Sequence, residues 1–173
     1  EEIVQGYGHE IFDYFGFVPN KNIEVILFDN EQDLNLSLGI AHDQSTVGAY
    51  SGGKIALLAQ RDMLINSFVH ELTHLVIDEM AGGNFPVWFT EGSALYMEYI
   101  LLGYEWGKDL EGIELYSVEQ LSRHFYELDE YKAYRQAFVY VKDLIEETGW
   151  DNFIELLKDL KNGNKFSSEF IQF

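Results

Sequence analysis

The pattern His-Glu-x-x-His at residues 70–74 constrains this chain most, because its two His can act together only on a helix. The surrounding segment, residues 61–78, reads as helical. On a helix, residues four apart lie on one face, so both imidazoles can reach one metal ion while Glu71 points beside it. The pattern predicts a helical zinc site with a built-in general base, and metal-assisted hydrolysis as the reaction class. The alternative is an amphipathic helix whose two half-buried His bond to neighbouring groups.

A third metal ligand has to come from outside the motif, since a catalytic zinc needs three protein ligands and one open position. The metzincin spacing asks for Gly and then His after the second motif His, but Ile77 and Met80 stand at those places. The remaining common choice is a carboxylate from a separate helix. Glu91 fits, because the sixteen residues between it and His74 are enough to end one helix and start another. A solvated helix charge is the alternative for Glu91.

Other residues near this pattern have more than one interpretation. The small residues 92–94 would let the helix of Glu91 approach the motif helix closely. Glu98 shares a helix face with Glu91 and could accept a hydrogen bond from a ligand His, although we favour an ordinary surface charge. Asp78, one turn beyond the motif, could also orient a ligand imidazole or simply be exposed to solvent.

The order of predicted elements indicates an α+β fold, in which a small N-terminal β-sheet packs on the zinc-binding helix and a mainly helical lobe follows. A hairpin is predicted where two strands flank residues 51–53. We predict a single domain over residues 1–173, with an N-terminal α/β lobe over about 1–80 and a helical lobe over about 81–173. The predicted strands are 23–28, 47–50 and 54–59, and the predicted helices are 2–14, 31–38, about 62–81, 86–102, 118–126, 130–148 and 150–160.

Composition excludes several classes of function. With 30 acidic and 11 basic residues the net charge is −19, so the surface should repel nucleic acid and anionic membranes. No apolar run approaches the roughly 18 residues that a membrane span requires. The absence of cysteine removes disulfide frameworks, thiolate zinc sites and thiol nucleophiles. An acidic chain without Cys or an initial Met slightly favours an exported or extracellular bacterial protein over a cytoplasmic one.

A di-iron carboxylate bundle is a rival interpretation, because it also uses Glu-x-x-His and residues 71–74 satisfy that pattern. Such a bundle needs a second copy of the pattern. His9, His42 and His124 all lack a Glu three residues before them. The strands predicted ahead of the motif also disfavour a bundle.

A second block of residues makes the motif far more specific. It reads Pro86-x-Trp88-Phe89-x-Glu91-Gly92-x-Ala94-x-Tyr96. Together the two blocks resemble the gluzincin metallopeptidases of the peptidase MA-like group, strongly over residues 67–99 and moderately over 133–163. The resemblance implies a zincin-like fold and a hydrolase that cleaves peptide bonds in a peptide or protein substrate. The zinc ligands that it implies are His70, His74 and Glu91, with Glu71 as general base.

The resemblance also implies a donor to the oxyanion that forms on the scissile carbonyl, and Tyr134 is our candidate. Its alternative is an aromatic residue packed in the core, and His124 is the rival donor. In relatives an edge strand pairs with the substrate backbone, and residues 47–50 or 54–58 are the candidate strand here. A function of another class, a binding or regulatory module on a peptidase scaffold without turnover, stays open.

Overall fold

The computed structural model describes residues 2–39, 47–59, 63–110 and 116–166. The chain divides into two compact units, Glu1–Val76 and Ile77–Phe173, and the border falls within one helix. The described part is α+β, with a small sheet first and helices afterwards. The zincin-like arrangement and the single domain over residues 1–173 stay predictions.

The first unit carries three strands and the helices before and beside them. Helix α1 is Glu2–Phe15, strand β1 is Glu24–Phe28 and helix α2 is Glu31–Leu38. Asn30 caps α2 by accepting a hydrogen bond from the Asp33 amide at 2.9 Å. The remaining elements are strand β2, Gly48–Ser51, strand β3, Lys54–Leu58, and helix α3, Leu64–Ala81, which crosses the border between the units.

The sheet has the order β1-β3-β2 among the described strands. β1 runs parallel to β3, with Ile26 opposite Ala56, whereas β2 and β3 form the antiparallel hairpin. β3 therefore lies in the middle of the sheet and β2 at one edge. The sequence offered two candidates for an edge strand, and the prediction of residues 54–58 was wrong because β3 pairs on both sides. The pairing with β1 joins residues far apart in the chain, so the hairpin pattern does not indicate it.

The core of the first unit lies on the faces of β3 and α3. Leu34, Ala56 and Leu58 form a buried cluster between α2 and the sheet. Helix α1 reaches α3 through Gly8, where a Cβ atom would lie 3.8 Å from Leu72 and 3.9 Å from Phe68. These apolar contacts hold the N-terminal part of α3, which carries the His-Glu-x-x-His motif.

The second unit is built on helix α4, Val87–Leu102, and helix α6, Glu130–Thr148, which pack side by side. The two backbones meet at Gly92, where a Cβ atom would lie only 2.2 Å from the carbonyl oxygen of Ala137. Among the small residues after Glu91, Gly92 thus allows the close approach of α6; an approach of these residues to the motif helix stays a prediction. The other elements here are α5, Val118–His124, a 3-10 helix, Phe125–Glu127, and α7, Trp150–Lys161.

Aromatic side chains fill the core of the second unit. Trp88 and Phe89 at the start of α4 are fully buried, and the Trp88 indole donates to the Ser122 hydroxyl at 3.0 Å. The Phe89 ring packs against Phe153 of α7 with centroids 5.5 Å apart. This core fixes the first turns of α4, on which Glu91 lies.

The structure confirms the predicted elements with small changes of boundary, and one helix differs. The helix predicted to reach Tyr126 ends at His124, and the chain tightens into the 3-10 helix. The physical reason is the next helix: Asp129 must leave helical geometry to cap α6, where its carboxylate accepts from the Lys132 amide at 3.0 Å. Residues 61 and 62 of the predicted motif helix lie outside the described residues. No helix in the described ranges is both long and apolar enough to cross a membrane.

Candidate metal centre

Helix α3 presents both motif His on one face, as the spacing predicts. The His70 and His74 rings lie edge to face, with centroids 4.7 Å apart and planes at 82°. Both side chains are half-buried. An ion held there would bind two imidazole nitrogens without any change in the helix backbone.

Glu91 completes a group of three possible ligands. His70, His74 and Glu91 each offer one ligand atom, and these atoms all lie within 4.8 Å of one another. At zinc bond lengths of about 2.0–2.2 Å, neighbouring ligands of a tetrahedral ion stand roughly 3.3–3.6 Å apart. The three side chains therefore need only small rotations to close around one ion. Two nitrogens and one carboxylate oxygen are a donor set that suits zinc, and the group could hold a metal ion.

The burial of Glu91 rules out the solvated charge that was its alternative. Its side chain is 6% exposed and lies in the most apolar helix of the second unit. A buried carboxylate is costly unless hydrogen bonds or a cation compensate its charge. The Tyr126 hydroxyl donates to Glu91 Oε1 at 3.3 Å, which supplies one such partner.

Glu71 is held in a tight site beside strand β2. It is 8% exposed, and its neighbour in space is Gly48 at the start of β2. A Cβ atom at position 48 would lie 3.2 Å from Glu71 Cγ, 3.3 Å from its Oε1 and 2.9 Å from Leu57 Cδ2. The close approach of Glu71 and Leu57 to the strand thus favours a glycine at position 48.

The predicted donor Tyr134 lies on α6 in a row of aromatic rings. Its ring centroid is 5.1 Å from that of Phe125 and 6.0 Å from that of Trp106. The side chain is half-buried, so it is neither a fully packed core residue nor a free surface group. The rival, His124, is exposed, and its Nδ1 lies 3.2 Å from Glu127 Oε2.

Two acids near the motif differ in environment. Glu98 is 4% exposed, so our interpretation of it as a surface charge was wrong. Its α4 position faces the interior because this helix is apolar on every side. The pKa of Tyr104 is raised mainly by burial of its hydroxyl and secondly by the negative charge of Glu98.

Asp78 is half-buried, and its Oδ1 lies 3.5 Å from the position that a Cβ atom on Gly83 would take. A role for Asp78 in orienting an imidazole stays a prediction.

Sequence reasoning missed two residues, Gly48 and Tyr126. Gly48 lies two residues before Tyr50 in the hairpin, a pattern that favours a strand but does not indicate what the glycine touches. Tyr126 is one of eleven Tyr, and nothing local separates it from the others. Only the 3-10 helix, which interrupts the predicted helix, brings its hydroxyl to Glu91.

The comparison with known families agrees with the motif. A family model described as Peptidase MA superfamily matches residues 10–172, and the chain therefore belongs to that superfamily. The resemblance predicted from the two sequence blocks is confirmed. Members are typically metal-dependent, which suits the His-His-Glu group. No curated protein and no solved structure matches the chain.

Proposed function

We propose that this protein is a zinc-dependent peptidase that cleaves peptide bonds with a water molecule activated at the metal centre. The observation that carries the proposal is the group of His70, His74 and Glu91, with the buried Glu71 next to the first ligand in sequence. Membership of the Peptidase MA superfamily supports the same reaction class. The substrate class is a peptide or protein.

His70, His74 and Glu91 are the residues that would hold zinc. The chemistry that a bound zinc ion supplies is Lewis acidity, which makes water a nucleophile near neutral pH and polarises the scissile carbonyl. Three protein ligands leave one position open, as catalytic zinc sites require. A structural site would be closed by a fourth ligand, and the described residues offer three in this group.

Glu71 is the proposed general base. Its carboxylate takes a proton from the attacking water and later gives it to the leaving amine. Strand β2 passes close to its side chain at Gly48, and this close packing favours an oriented carboxylate before substrate arrives. Proton transfer of this kind typically contributes 10²–10⁴-fold in rate, which is roughly the loss we expect when the base is removed.

Substrate would lie along strand β2, with Tyr134 as donor to the oxyanion. β2 is at the edge of the sheet in the described strands, where an extended peptide can add by backbone hydrogen bonds. The loss of one such oxyanion donor typically costs about 10²–10³ in kcat. A Tyr134→Phe variant that keeps full turnover would remove this assignment and leave the metal site untouched.

The metal content of protein purified without chelator tests the site directly. We expect about one zinc per chain by plasma mass spectrometry, as one His-His-Glu group can hold one ion. Glu91→Gln, which keeps the side-chain volume, should lose most of the metal while its circular dichroism stays unchanged. A wild-type protein that takes up no zinc even after incubation with the metal and dialysis would refute the zinc site.

Turnover of an unstructured protein such as casein tests the reaction. Glu71→Gln should lower turnover by roughly 10²–10⁴ and retain zinc, because the base is not a ligand. Glu79→Gln on the same helix is the matched control and should keep both properties, since Glu79 is outside the ligand group. Zinc binding without any turnover by the wild type would favour the non-catalytic binding or regulatory module.

A further inference from the structure

Tyr126 is an exposed residue with a buried partner. Its side chain is 73% exposed, whereas Glu91, which accepts its hydrogen bond at 3.3 Å, is 6% exposed. An exposed Tyr on a short turn normally gains little from a fixed position, because solvent satisfies its hydroxyl. Here the hydroxyl reaches inward to one oxygen of the proposed metal-binding carboxylate.

The turn that carries Tyr126 is held at both ends. The neighbouring Phe125 is 4% exposed, and its ring lies edge to face with that of Tyr126 at 5.6 Å and 84°. The Leu128 amide donates to the Phe125 carbonyl at 3.3 Å, which closes the 3-10 turn. Before it, Ser117 and Gln120 form a capping box at the start of α5. These local contacts support the backbone of the turn that carries Tyr126.

A carboxylate ligand has two oxygens and rotates freely unless one of them is held. The hydrogen bond from Tyr126 occupies Oε1 and limits rotation about the last side-chain bond. With that rotation limited, the carboxylate would be held near one orientation before a metal ion binds. Partners of metal ligands of this kind typically contribute 10–100-fold to metal affinity.

We propose that Tyr126 is a positioning residue, which orients the Glu91 carboxylate for metal binding through a hydrogen bond to Oε1. The proposal rests on the proposed function only in taking Glu91 as a ligand. Tyr126 acts through Glu91 and is given no contact with substrate. Its effect should therefore be seen in metal affinity, with or without turnover.

Zinc affinity of the apoprotein, measured by competition with a chromophoric chelator, tests the proposal. Tyr126→Phe keeps the ring and removes the hydroxyl, and should raise the Kd for zinc by about 10–100-fold. Tyr131→Phe is the matched control: Tyr131 is also exposed, at 50%, and its ring packs on Trp106 at 5.0 Å. Its Kd should equal that of the wild type.

A double-mutant cycle shows whether the effect passes through Glu91. In a Glu91→Gln background, Tyr126→Phe should change the Kd much less than in the wild type, because the oriented carboxylate is already gone. Equal Kd values for Tyr126→Phe and wild type would overturn the proposal and leave the zinc site standing. An equal effect in both backgrounds, or an equal effect of Tyr131→Phe, would also overturn it. A wild type that binds no zinc would overturn the zinc site and this proposal together.

Discussion

The motif turn of α3 and the first turns of α4 place the candidate ligands by different physical means. In α3 the two His lie four residues apart, and helix geometry alone brings their rings to 4.7 Å. In α4 the carboxylate of Glu91 is positioned by packing, since the helix meets α6 backbone to backbone at Gly92. The first part of the site is local structure and the second is tertiary structure. Substitutions that disturb packing should therefore damage the second part more than the first.

The two regions also differ in how their polar groups are stabilised. The two motif His are half-buried and can keep water as a partner. Glu91 is almost completely buried, and the Tyr126 hydroxyl donates one hydrogen bond to its carboxylate. Such bonds compensate the cost of a buried charge. We therefore expect a change near Glu91 to alter both the free energy of unfolding and metal affinity, and a change at an imidazole to alter mainly metal affinity.

The largest effect is expected from Gly92→Ala. The new Cβ atom would lie 2.2 Å from the Ala137 carbonyl oxygen, and a backbone atom cannot rotate away. We expect the free energy of unfolding to fall by about 3 kcal/mol, together with zinc affinity, measured by urea denaturation and chelator competition.

Gly6→Ala is the control for this substitution. Gly6 lies on α1 with nothing within 4 Å of its Cβ position. The substitution should therefore raise the free energy of unfolding by about 0.5–1 kcal/mol, because Ala favours a helix over Gly. A Gly92→Ala variant that is as stable as wild type would contradict the packing argument, and with it the contrast between α3 and α4.

An intermediate effect is expected from Gly48→Ala, which tests the motif side of the comparison. The added methyl would press on Glu71 Cγ at 3.2 Å and on Leu57 at 2.9 Å, and both are side chains that can yield. We expect a loss of about 1–2 kcal/mol in unfolding free energy. Turnover should also fall while the Kd for zinc stays constant, since Glu71 is not a ligand.

Gly8→Ala is the matched control within the same unit. Gly8 lies on α1, and its Cβ position is at ordinary contact distance, 3.8 Å, from Leu72 of α3, the helix that also carries Glu71. It should leave turnover unchanged. If Gly48→Ala weakened zinc binding as much as turnover, the expectation that Glu71 acts in turnover without contributing to zinc binding would be contradicted.

The smallest effect is expected from Ser117→Ala, which removes the cap of the helix before Tyr126. The Ser117 hydroxyl accepts from the Gln120 amide at 3.2 Å, and such caps contribute about 1 kcal/mol. The free energy of unfolding, measured by urea denaturation, should fall by that amount. A zinc Kd that rises as far as in Tyr126→Phe would indicate that the turn depends on α5 more than on Phe125.

Much of the fold could be predicted because its signals are local. Asn30 before α2 is a residue type that caps helices, and helical periodicity marks most of the later elements. The wrong predictions concern residues whose state depends on distant partners. Glu98 was assigned to the surface because acids usually are exposed, yet an apolar helix buries it. Residues 54–58 were a candidate edge until the pairing with β1 put them in the middle of the sheet.

The sequence by itself determined that His70 and His74 share one helix face with Glu71 beside the first of them, because helical spacing converts directly into geometry. It also predicted the reaction class, which stays a proposal. It also indicated Glu91, through an acid in an apolar stretch. Only the tertiary structure decided that Gly92 meets α6, that Gly48 lies against Glu71 and that Tyr126 reaches Glu91. The physical reason is that such contacts join residues far apart in the chain, and neither spacing nor residue type encodes which of several similar side chains will meet.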